Sequence, residues 1–216
     1  MNVALVGATG YVGSAILEEL LSRGHNVTAI CRHPEKTKIP DRERLRKVSA
    51  DVNNSQALAE SFRGQDAVIH AFAPERGEIA QRIEAHRKGT ESILAAMKAA
   101  GVGRILAVGG AGTLEVAPGV RNMDQADFPK EWEGGAKATA GVKAVLQGQA
   151  EVLWTFLSPS HDLFPGERTG KFRLGKDQLL RGPDGKSRIS VQDYAVAMVD
   201  ELENPQHTGH RFTVGY

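Results

Sequence analysis

The chain has 216 residues, of which 41% are hydrophobic, 25% charged and 6% aromatic. This composition excludes an intrinsically disordered or collagen-like chain, and the length predicts one domain with a sizeable core. The 27 Lys and Arg residues balance the 26 Asp and Glu residues, leaving a net charge of +1. So small a charge favours a small-molecule partner, and neither nucleic acid nor a membrane is expected as a partner.

The predicted location rests on the cysteine content and on the N-terminus. A single cysteine, Cys31, cannot form an intramolecular disulfide. The first residues, M-N-V-A-L-V-G, contain no charged leader with a hydrophobic signal region. Apolar runs are also far shorter than the roughly 18–20 residues of a spanning helix. These features predict a cytoplasmic protein.

Strands and helices are predicted to alternate along the chain. Short apolar runs predict strands at residues 2–6, 27–31, 45–49, 67–70, 104–108, 152–157, 187–191 and 212–214. Apolar residues at helical spacing predict helices at residues 11–23, 55–62, 78–100, 136–149 and 192–203. This alternation predicts an α/β fold, a Rossmann-like doubly wound parallel sheet with helices on both faces.

A single domain over residues 1–216 is expected, with a cofactor-binding core at 1–157. Residues 158–216 would add a small region of substrate-side loops and a closing helix and strand. The segment after Gly109 is rich in Gly, Pro and charge, which predicts an irregular insert containing Phe128 and Trp132. These two aromatic side chains could cap a planar substrate or pack in the core.

The main motif follows the first predicted strand, where residues 7–13 read G-A-T-G-Y-V-G. A dinucleotide site needs a tight turn at Gly7, close approach of the pyrophosphate near Thr9 and Gly10, and close helix packing at Gly13. Backbone N–H groups at the helix start would then hold the phosphates. Since strand, glycines, helix and second strand fall in register, the motif predicts a dinucleotide site rather than an ordinary glycine-rich turn.

The choice of cofactor is predicted from the end of the second strand. An NAD-preferring site usually has an acidic residue there, whereas this chain has Arg32, which could pair with a 2′-phosphate. NADP(H) is therefore favoured over NAD(H), with a solvated surface arginine as the alternative. Asp51, after the third strand, either accepts a hydrogen bond from the adenine amino group or is a turn aspartate.

Beyond the glycine motif, the chain resembles atypical short-chain dehydrogenase/reductases in three tracts. They are A-D-V at 50–52, V-I-H-A-F-A at 68–73 and G-V-G-R-I-L-A-V at 101–108. Within this group, the chain is most similar to the single-domain, NmrA-like proteins related to flavin reductase and biliverdin-IXβ reductase. Two C-terminal tracts carry this similarity, F-L-S-P-S-H at 156–161 and S-R-I-S-V-Q-D-Y-A at 187–195. The resemblance covers nearly the whole chain.

The resemblance implies a set of cofactor-binding residues. Those around the pyrophosphate would be Gly7, Thr9, Gly10, Tyr11 and Val12. Arg32 would bind the 2′-phosphate, and Asp51 with Val52 would border the adenine. The ribose and nicotinamide end would be lined by Ala71, Phe72, Val108, Gly109 and Pro159.

The chain departs from most short-chain dehydrogenases, whose Tyr-x-x-x-Lys motif supplies a general acid/base. Its tyrosines are at positions 11, 194 and 216, and none has a lysine four residues later. The usual serine after the central strand is replaced by Gly109-Gly110. Dehydrogenation of ordinary alcohols or ketones by the tyrosine mechanism is therefore not expected.

One histidine is a candidate for contact with the substrate. His161 matches, by resemblance, a histidine that lies near the substrate in flavin and biliverdin reductases, while the serine that accompanies it falls at Gly110. His161 is therefore predicted to bind substrate or act as an acid, with a solvated loop histidine as the alternative.

The other polar residues carry no specific prediction of a binding or catalytic role. His86 is expected on the solvated face of its helix, and the remaining histidines lack metal-ligand spacing, so no metal site is predicted. The basic loop at 167–173 could bind an anion or be a solvated turn.

The combined prediction is an NADPH-dependent oxidoreductase that passes hydride to a flavin, a quinone or another conjugated planar acceptor, with flavin a possible substrate. The alternative is a non-catalytic NADP-binding redox sensor. A nucleotide-sugar epimerase or dehydratase is less favoured, because the C-terminal region is short and the tyrosine is absent. A monomer and a homodimer both fit the sequence.

Overall fold

The structure is a computed structural model that describes residues 1–75 and 77–216. Its strands are β1 Asn2–Val6, β2 Asn26–Cys31, β3 Leu45–Ser49, β4 Ala67–His70, β5 Arg104–Val108, β6 Glu115–Ala117, β7 Val120–Arg121, β8 Leu153–Ser158, β9 Asp162–Phe164, β10 Arg173–Gly175, β11 Arg188–Ser190 and β12 His210–Gly215. Its α-helices are α1 Tyr11–Ser22, α2 Ser55–Phe62, α3 Ile79–Ala100, α4 Lys130–Gln147 and α5 Val191–Glu203.

The main sheet has eight strands in the order β10-β12-β8-β5-β4-β1-β2-β3. Seven of them are parallel, and β10 pairs antiparallel with β12 at one edge. Two short pairs, β9 with β11 and β6 with β7, lie outside this sheet. The predicted Rossmann-like doubly wound α/β fold is confirmed.

Each face of the sheet is covered by helices because side chains along a strand alternate between the two faces. In β1, Val3 and Leu5 pack in one apolar cluster, which includes residues of α1 and α5. Ala4 and Val6 point the other way, into a second cluster that includes residues of α2, α3 and α4. The buried strands therefore read as continuous apolar runs, which is typical of a parallel sheet.

Helix α4 begins at Lys130 rather than at residue 136, so the predicted boundary is wrong. Trp132, which was expected in an irregular insert, lies in the first turn of this helix. Gly134 and Gly135 interrupt the helical pattern, since glycine is a poor helix former. Packing compensates: a β-carbon at Gly134 would lie 3.3 Å from Ile79 Cγ1 on α3.

The C-terminal region joins the core, because β12 pairs with β8 inside the main sheet. Asp193 at the start of α5 stabilises the basic loop at residues 167–173. It accepts hydrogen bonds from the backbone N–H groups of Thr169 and Gly170, both at 2.8 Å. In that loop Arg168 pairs with Glu19 at 2.6 Å. The loop therefore serves to dock α5 against α1.

Within the described residues, the helices are too short or too polar to cross a membrane.

Candidate cofactor and acceptor site

The carboxyl ends of the central strands define the site. The chain runs from β1 to β2 and β3 on one side and continues through β4 and β5 on the other, so the strand order reverses between β1 and β4. Ligands of open α/β sheets bind at this point. Here Gly7 follows β1, Ala71 follows β4 and Gly109 follows β5.

The glycine loop between β1 and α1 has the geometry that a dinucleotide motif requires. Gly7 has a φ of +91°, and a β-carbon there would lie 2.5 Å from the carbonyl oxygen of Ala71. At Gly13 a β-carbon would lie 2.0 Å from the carbonyl oxygen of Gly7. The Gly10 N–H donates to the same oxygen at 3.0 Å. The glycine loop is thus closely packed between the carboxyl ends of β1 and β4.

A cavity of about 370 Å³, the cofactor cavity, lies over this loop. It brings together predicted residues from the ends of five strands. Its lining is Val6, Gly7, Thr9, Gly10, Tyr11, Val12, Ile30, Cys31, Arg32, Ala50, Val52, Ala71, Phe72, Ala73, His86, Val108, Gly109 and Thr139. Among the predicted residues, Gly13 lies beneath the loop, and Asp51 and Pro159 lie outside this lining.

Arg32 stands at the rim of the cofactor cavity and is already paired. Its Nη2 donates to Glu75 Oε1 at 2.7 Å, and both side chains are largely exposed. The position suits a 2′-phosphate, but Glu75 is a competing anion for the same guanidinium.

Asp51 has a turn geometry. Its Oδ1 accepts hydrogen bonds from the backbone N–H of Asn53 at 2.8 Å and from the Asn53 side-chain amide at 3.0 Å. This is the turn arrangement that was the alternative to adenine binding, so contact of the Asp51 carboxyl with adenine stays a prediction. The neighbouring Val52 is buried and lines the cofactor cavity.

A second cavity of about 660 Å³, the adjoining cavity, meets the first at Ala73, His86 and Thr139. It lies between α3, α4 and the loop that follows β8. Its lining is Ala73, Gly77, Ile79, Arg82, His86, Gly110, Ala111, Gly112, Asn122, Phe128, Lys130, Glu131, Trp132, Gly134, Gly135, Ala136, Ala138, Thr139, Pro159, Ser160, His161 and Leu163. The predicted residues Pro159 and His161 therefore lie in this second cavity.

His161 is held as a neutral hydrogen-bond donor. Asn122 Oδ1 accepts from Gln125 Nε2 at 2.9 Å, which turns the Asn122 amide nitrogen toward His161 Nδ1 at 3.2 Å. His161 Nδ1 then accepts this bond, and the ring proton is on Nε2. Burial lowers the pKa of His161, and the nearby Arg181 guanidinium lowers it further.

Aromatic rings form one wall of the adjoining cavity. The Trp132 and His161 rings meet edge to face with centroids 4.9 Å apart. Phe128 contacts Trp132 in the same way, with centroids at 6.4 Å. Trp132 is nevertheless 45% exposed and lines the adjoining cavity, so part of a large apolar ring is accessible to a ligand. Such a surface suits a planar ring of a ligand.

The prediction that His86 faces solvent is wrong, since the side chain is only 4% exposed. The spacing of His86, Thr90, Ile93 and Met97 places them on the buried face of α3. Burial lowers the pKa of His86 to about 4, so the ring is neutral. The same spacing was visible in the sequence, but the charged residues between these positions obscured it.

His70 packs against His86 below the cofactor cavity, with ring centroids 5.6 Å apart. The Thr90 hydroxyl donates to the His86 carbonyl oxygen at 2.8 Å and so accepts from His70 Nε2 at 2.9 Å. Burial lowers the pKa of His70 to about 3. Among residues 1–75 and 77–216, His70 Nδ1 and His86 Nε2 have no hydrogen-bond partner.

Sequence reasoning missed Thr139, which lies at the junction of the two cavities. A β-carbon added at Gly110 would lie 2.6 Å from Thr139 Oγ1. The Thr139 hydroxyl therefore occupies the space that a serine side chain at position 110 would take. It donates to the carbonyl oxygen of Gly135 at 3.0 Å and keeps its acceptor lone pairs.

Groups of three or more metal-ligating side chains are not found in the part of the chain that the structure describes.

Comparison with known proteins identifies the family of the chain. A family described as NAD(P)H-binding matches residues 7–205. The uncharacterised protein YwnB of Bacillus subtilis is 40% identical over 217 aligned positions, which cover 99% of this chain and 98% of YwnB.

Two solved structures share the fold over the full chain. A Bacteroides thetaiotaomicron protein provisionally named an epimerase is 46% identical, with a TM-score of 0.90, and the match covers 100% of this chain and 96% of that one. A Streptococcus pneumoniae protein provisionally named an NADH-flavin reductase is 34% identical, with a TM-score of 0.85 and coverage of 100% and 99%. The chain therefore belongs to the NAD(P)H-binding family of atypical short-chain dehydrogenase/reductases.

Proposed function

We propose that the protein is an NADPH-dependent oxidoreductase that reduces a planar conjugated acceptor, such as a flavin or a quinone. The observation that carries this proposal is the junction of the two cavities at Ala73, His86 and Thr139. When bound, the reduced nicotinamide supplies the hydride. A larger second cavity that shares three lining residues with the cofactor cavity provides room for a second ring beside the first.

The side chains of the adjoining cavity position the acceptor and do not act as a strong acid. Trp132 and Phe128 offer flat apolar surface for an acceptor ring, and His161 offers an Nε2–H donor for a carbonyl oxygen or ring nitrogen. Because burial keeps His161 neutral, it donates a hydrogen bond without adding a charge to the cavity.

The tyrosines support an acceptor that needs no tyrosine acid. Tyr194 is fully buried, and its hydroxyl donates to the Leu157 carbonyl oxygen at 2.7 Å. The Tyr216 hydroxyl donates to Asp193 at 2.7 Å, and the Tyr11 hydroxyl donates to Leu163 at 3.3 Å. All three lie outside the lining of the adjoining cavity. Flavins and quinones accept hydride without this group.

The preference for NADPH rests on Arg32. In this proposal the guanidinium exchanges its bond to Glu75 for a bond to the 2′-phosphate, which offers more charge and more acceptor oxygens than a single carboxylate. The relative from Streptococcus pneumoniae bears a name that specifies NADH, so the preference of this chain must be measured directly.

The first experiment is a parallel titration of the purified protein with NADPH and NADH, followed by tryptophan quenching and nicotinamide fluorescence. Tighter binding of NADPH supports the assignment of Arg32. NADPH oxidation is then measured with flavin mononucleotide, riboflavin and a series of quinones. Turnover with at least one of them supports the proposed reductase.

Two other outcomes would replace the proposal. Tight NADPH binding with no turnover on any acceptor would favour a non-catalytic NADP-binding sensor. Conversion of a nucleotide sugar without net NADPH oxidation would favour an epimerase, the provisional name of the Bacteroides relative.

Size-exclusion chromatography with light scattering would distinguish the monomer from the homodimer. The cytoplasmic location stays a prediction.

A further inference from the structure

We propose that the acceptor carries an oxyanion, a carboxylate or a phosphate, and that Arg82 on α3 binds this group. The inference rests on the proposed function, because it defines the acceptor class of the same site. It does not concern the cofactor phosphates, since Arg82 lines the adjoining cavity and lies outside the lining of the cofactor cavity.

Arg82 is partly buried and lacks a partner. Its Nε is buried without a hydrogen bond, and within the described residues its guanidinium forms no hydrogen bond or ion pair. Arg87, on the same helix, pairs with both Glu84 and Glu91. The two Nη atoms also have no acceptor but are not buried, so they are the donors that a ligand in the adjoining cavity can reach.

The guanidinium of Arg82 lies close against helix α4. A β-carbon at Gly135 would lie 3.4 Å from Arg82 Nη2, and one at Gly134 would lie 3.9 Å from Arg82 Nη1. Two consecutive glycines inside α4 weaken the helix, yet they keep side chains away from the arginine. The glycines therefore let the guanidinium lie beside the α4 backbone, at the wall of the adjoining cavity.

The charges that line the cavity favour an anion. Arg82 and Lys130 contribute two positive charges against the single carboxylate of Glu131. The two histidines of the lining, His86 and His161, are neutral because burial lowers the pKa of each. The net charge of the lining is thus positive, and the one guanidinium among these groups can bind a carboxylate or phosphate through two parallel hydrogen bonds.

The aromatic wall defines the rest of the ligand. Trp132 and Gly135 are three residues apart in α4 and so lie on the same face of the helix, which places a ring stacked on Trp132 near the point where Arg82 approaches Gly135. His161 meets the ring of the same tryptophan edge to face. This juxtaposition suits a planar ring with an oxyanionic substituent.

The test compares charged and uncharged acceptors on the full chain in the presence of NADP⁺, so that no turnover occurs. The ligands are an anthraquinone carboxylate with its carboxamide, and flavin mononucleotide with riboflavin. Dissociation constants are measured by isothermal titration calorimetry. We expect the anion of at least one pair to bind about tenfold more tightly than its uncharged analogue, the effect of one charged hydrogen-bonded contact. The pair that shows the preference identifies the carboxylate or the phosphate.

The variants are Arg82→Met, which removes the charge and keeps the stem, and Arg87→Met as a matched control on the same helix. Arg82→Met should abolish the preference for the anion, whereas Arg87→Met should retain it. NADP⁺ affinity should be unchanged in both, which verifies that they are folded. If Arg82→Met is unstable, Arg82→Lys replaces it and should retain only part of the preference.

Equal affinities of the wild-type protein for the charged and uncharged members of both pairs would overturn the proposal. A preference that survives in Arg82→Met would also overturn it. Failure of the proposed reductase is distinguishable, because it would appear as absent NADPH oxidation while the anion preference and its dependence on Arg82 remained.

Discussion

The carbonyl oxygen of Gly7 lies where the side chain of residue 13 would begin, because a β-carbon added at Gly13 would be 2.0 Å away from it. This contact joins the end of β1 to the first turn of α1. The two outer glycines are needed for packing within the protein, and Gly7 and Gly10 both line the cofactor cavity.

Gly13→Ala is expected to destabilise the fold. The added methyl group must push α1 away from the Gly7 carbonyl, and overpacking of this kind costs about 1–3 kcal/mol of unfolding free energy. Urea unfolding followed by circular dichroism measures the change. Gly103→Ala is the control, since a β-carbon there meets nothing within 4 Å. Equal stability of the two variants would contradict the packing argument.

Gly10→Val is expected to abolish binding of both NADPH and NADH while the protein stays folded. A β-carbon at Gly10 would already be 3.3 Å from the Gly7 carbonyl oxygen, and the two methyl groups of valine would enter the path of the pyrophosphate. Calorimetric titration measures the affinity, and circular dichroism verifies the fold. Unchanged affinity in a folded variant would remove the central assignment of the glycine loop.

Arg32→Glu is expected to shift the preference from NADPH toward NADH by about tenfold or more, since a favourable contact with the 2′-phosphate becomes a repulsive one. Parallel titrations give the ratio of dissociation constants. Arg63→Glu makes the same charge change at an exposed position outside both cavities and should leave the ratio unchanged. A ratio that stays constant in Arg32→Glu would identify the residue as a surface charge.

Glu75→Gln is expected to tighten NADPH binding and leave NADH binding nearly unchanged. The substitution removes the carboxylate that holds Arg32 at 2.7 Å, so the guanidinium no longer has to exchange one anion for another. The same titrations measure this effect. Weaker NADPH binding in Glu75→Gln would show that the ion pair orients Arg32 rather than competing with the phosphate.

His161→Ala is expected to lower kcat/KM for the acceptor about tenfold, through loss of one hydrogen bond to the acceptor, and to spare NADPH affinity. His161→Gln keeps an N–H donor and should recover part of the loss. His210→Ala removes an exposed histidine far from both cavities as the control. Equal kinetics in the two alanine variants would assign His161 to the loop structure alone.

Acid is expected to destabilise the fold through His70. Its pKa is about 3 in the folded protein against an ordinary value of 6.5, so the unfolded chain binds the proton first as the pH falls. Folding buries His70 in its neutral form, and its contribution to the free energy of unfolding is complete above about pH 6.5. This contribution is lost progressively below that pH, by roughly 2 kcal/mol between pH 7 and pH 5. Urea unfolding at several pH values measures the slope.

His70→Gln supplies the comparison for this slope, because the glutamine amide can still donate to Thr90 but does not titrate. The variant should lose less stability between pH 7 and pH 5 than the wild-type protein does. If the free energy of unfolding falls equally in the two proteins as the pH is lowered, His70 is not the group responsible for the loss of stability.

Local patterns were sufficient for most of the fold and for the glycine loop. The strand, glycine turn and helix at the N-terminus depend on contacts between near neighbours, such as the Gly10 N–H bond to Gly7. The start of α4 was missed for the opposite reason. Gly134 and Gly135 disfavour a helix locally, and the packing against Ile79 that stabilises it involves a residue far away in sequence.

The sequence by itself determined the doubly wound α/β class, the glycine loop and the position of Arg32 after the second strand, because these follow from short-range spacing. Only the tertiary structure decided which side chains meet in the adjoining cavity. Arg82, Trp132 and His161 come from a helix, another helix and a loop, and no spacing rule relates them. Burial also made His86 neutral, since the loss of water rather than the residue type sets its charge.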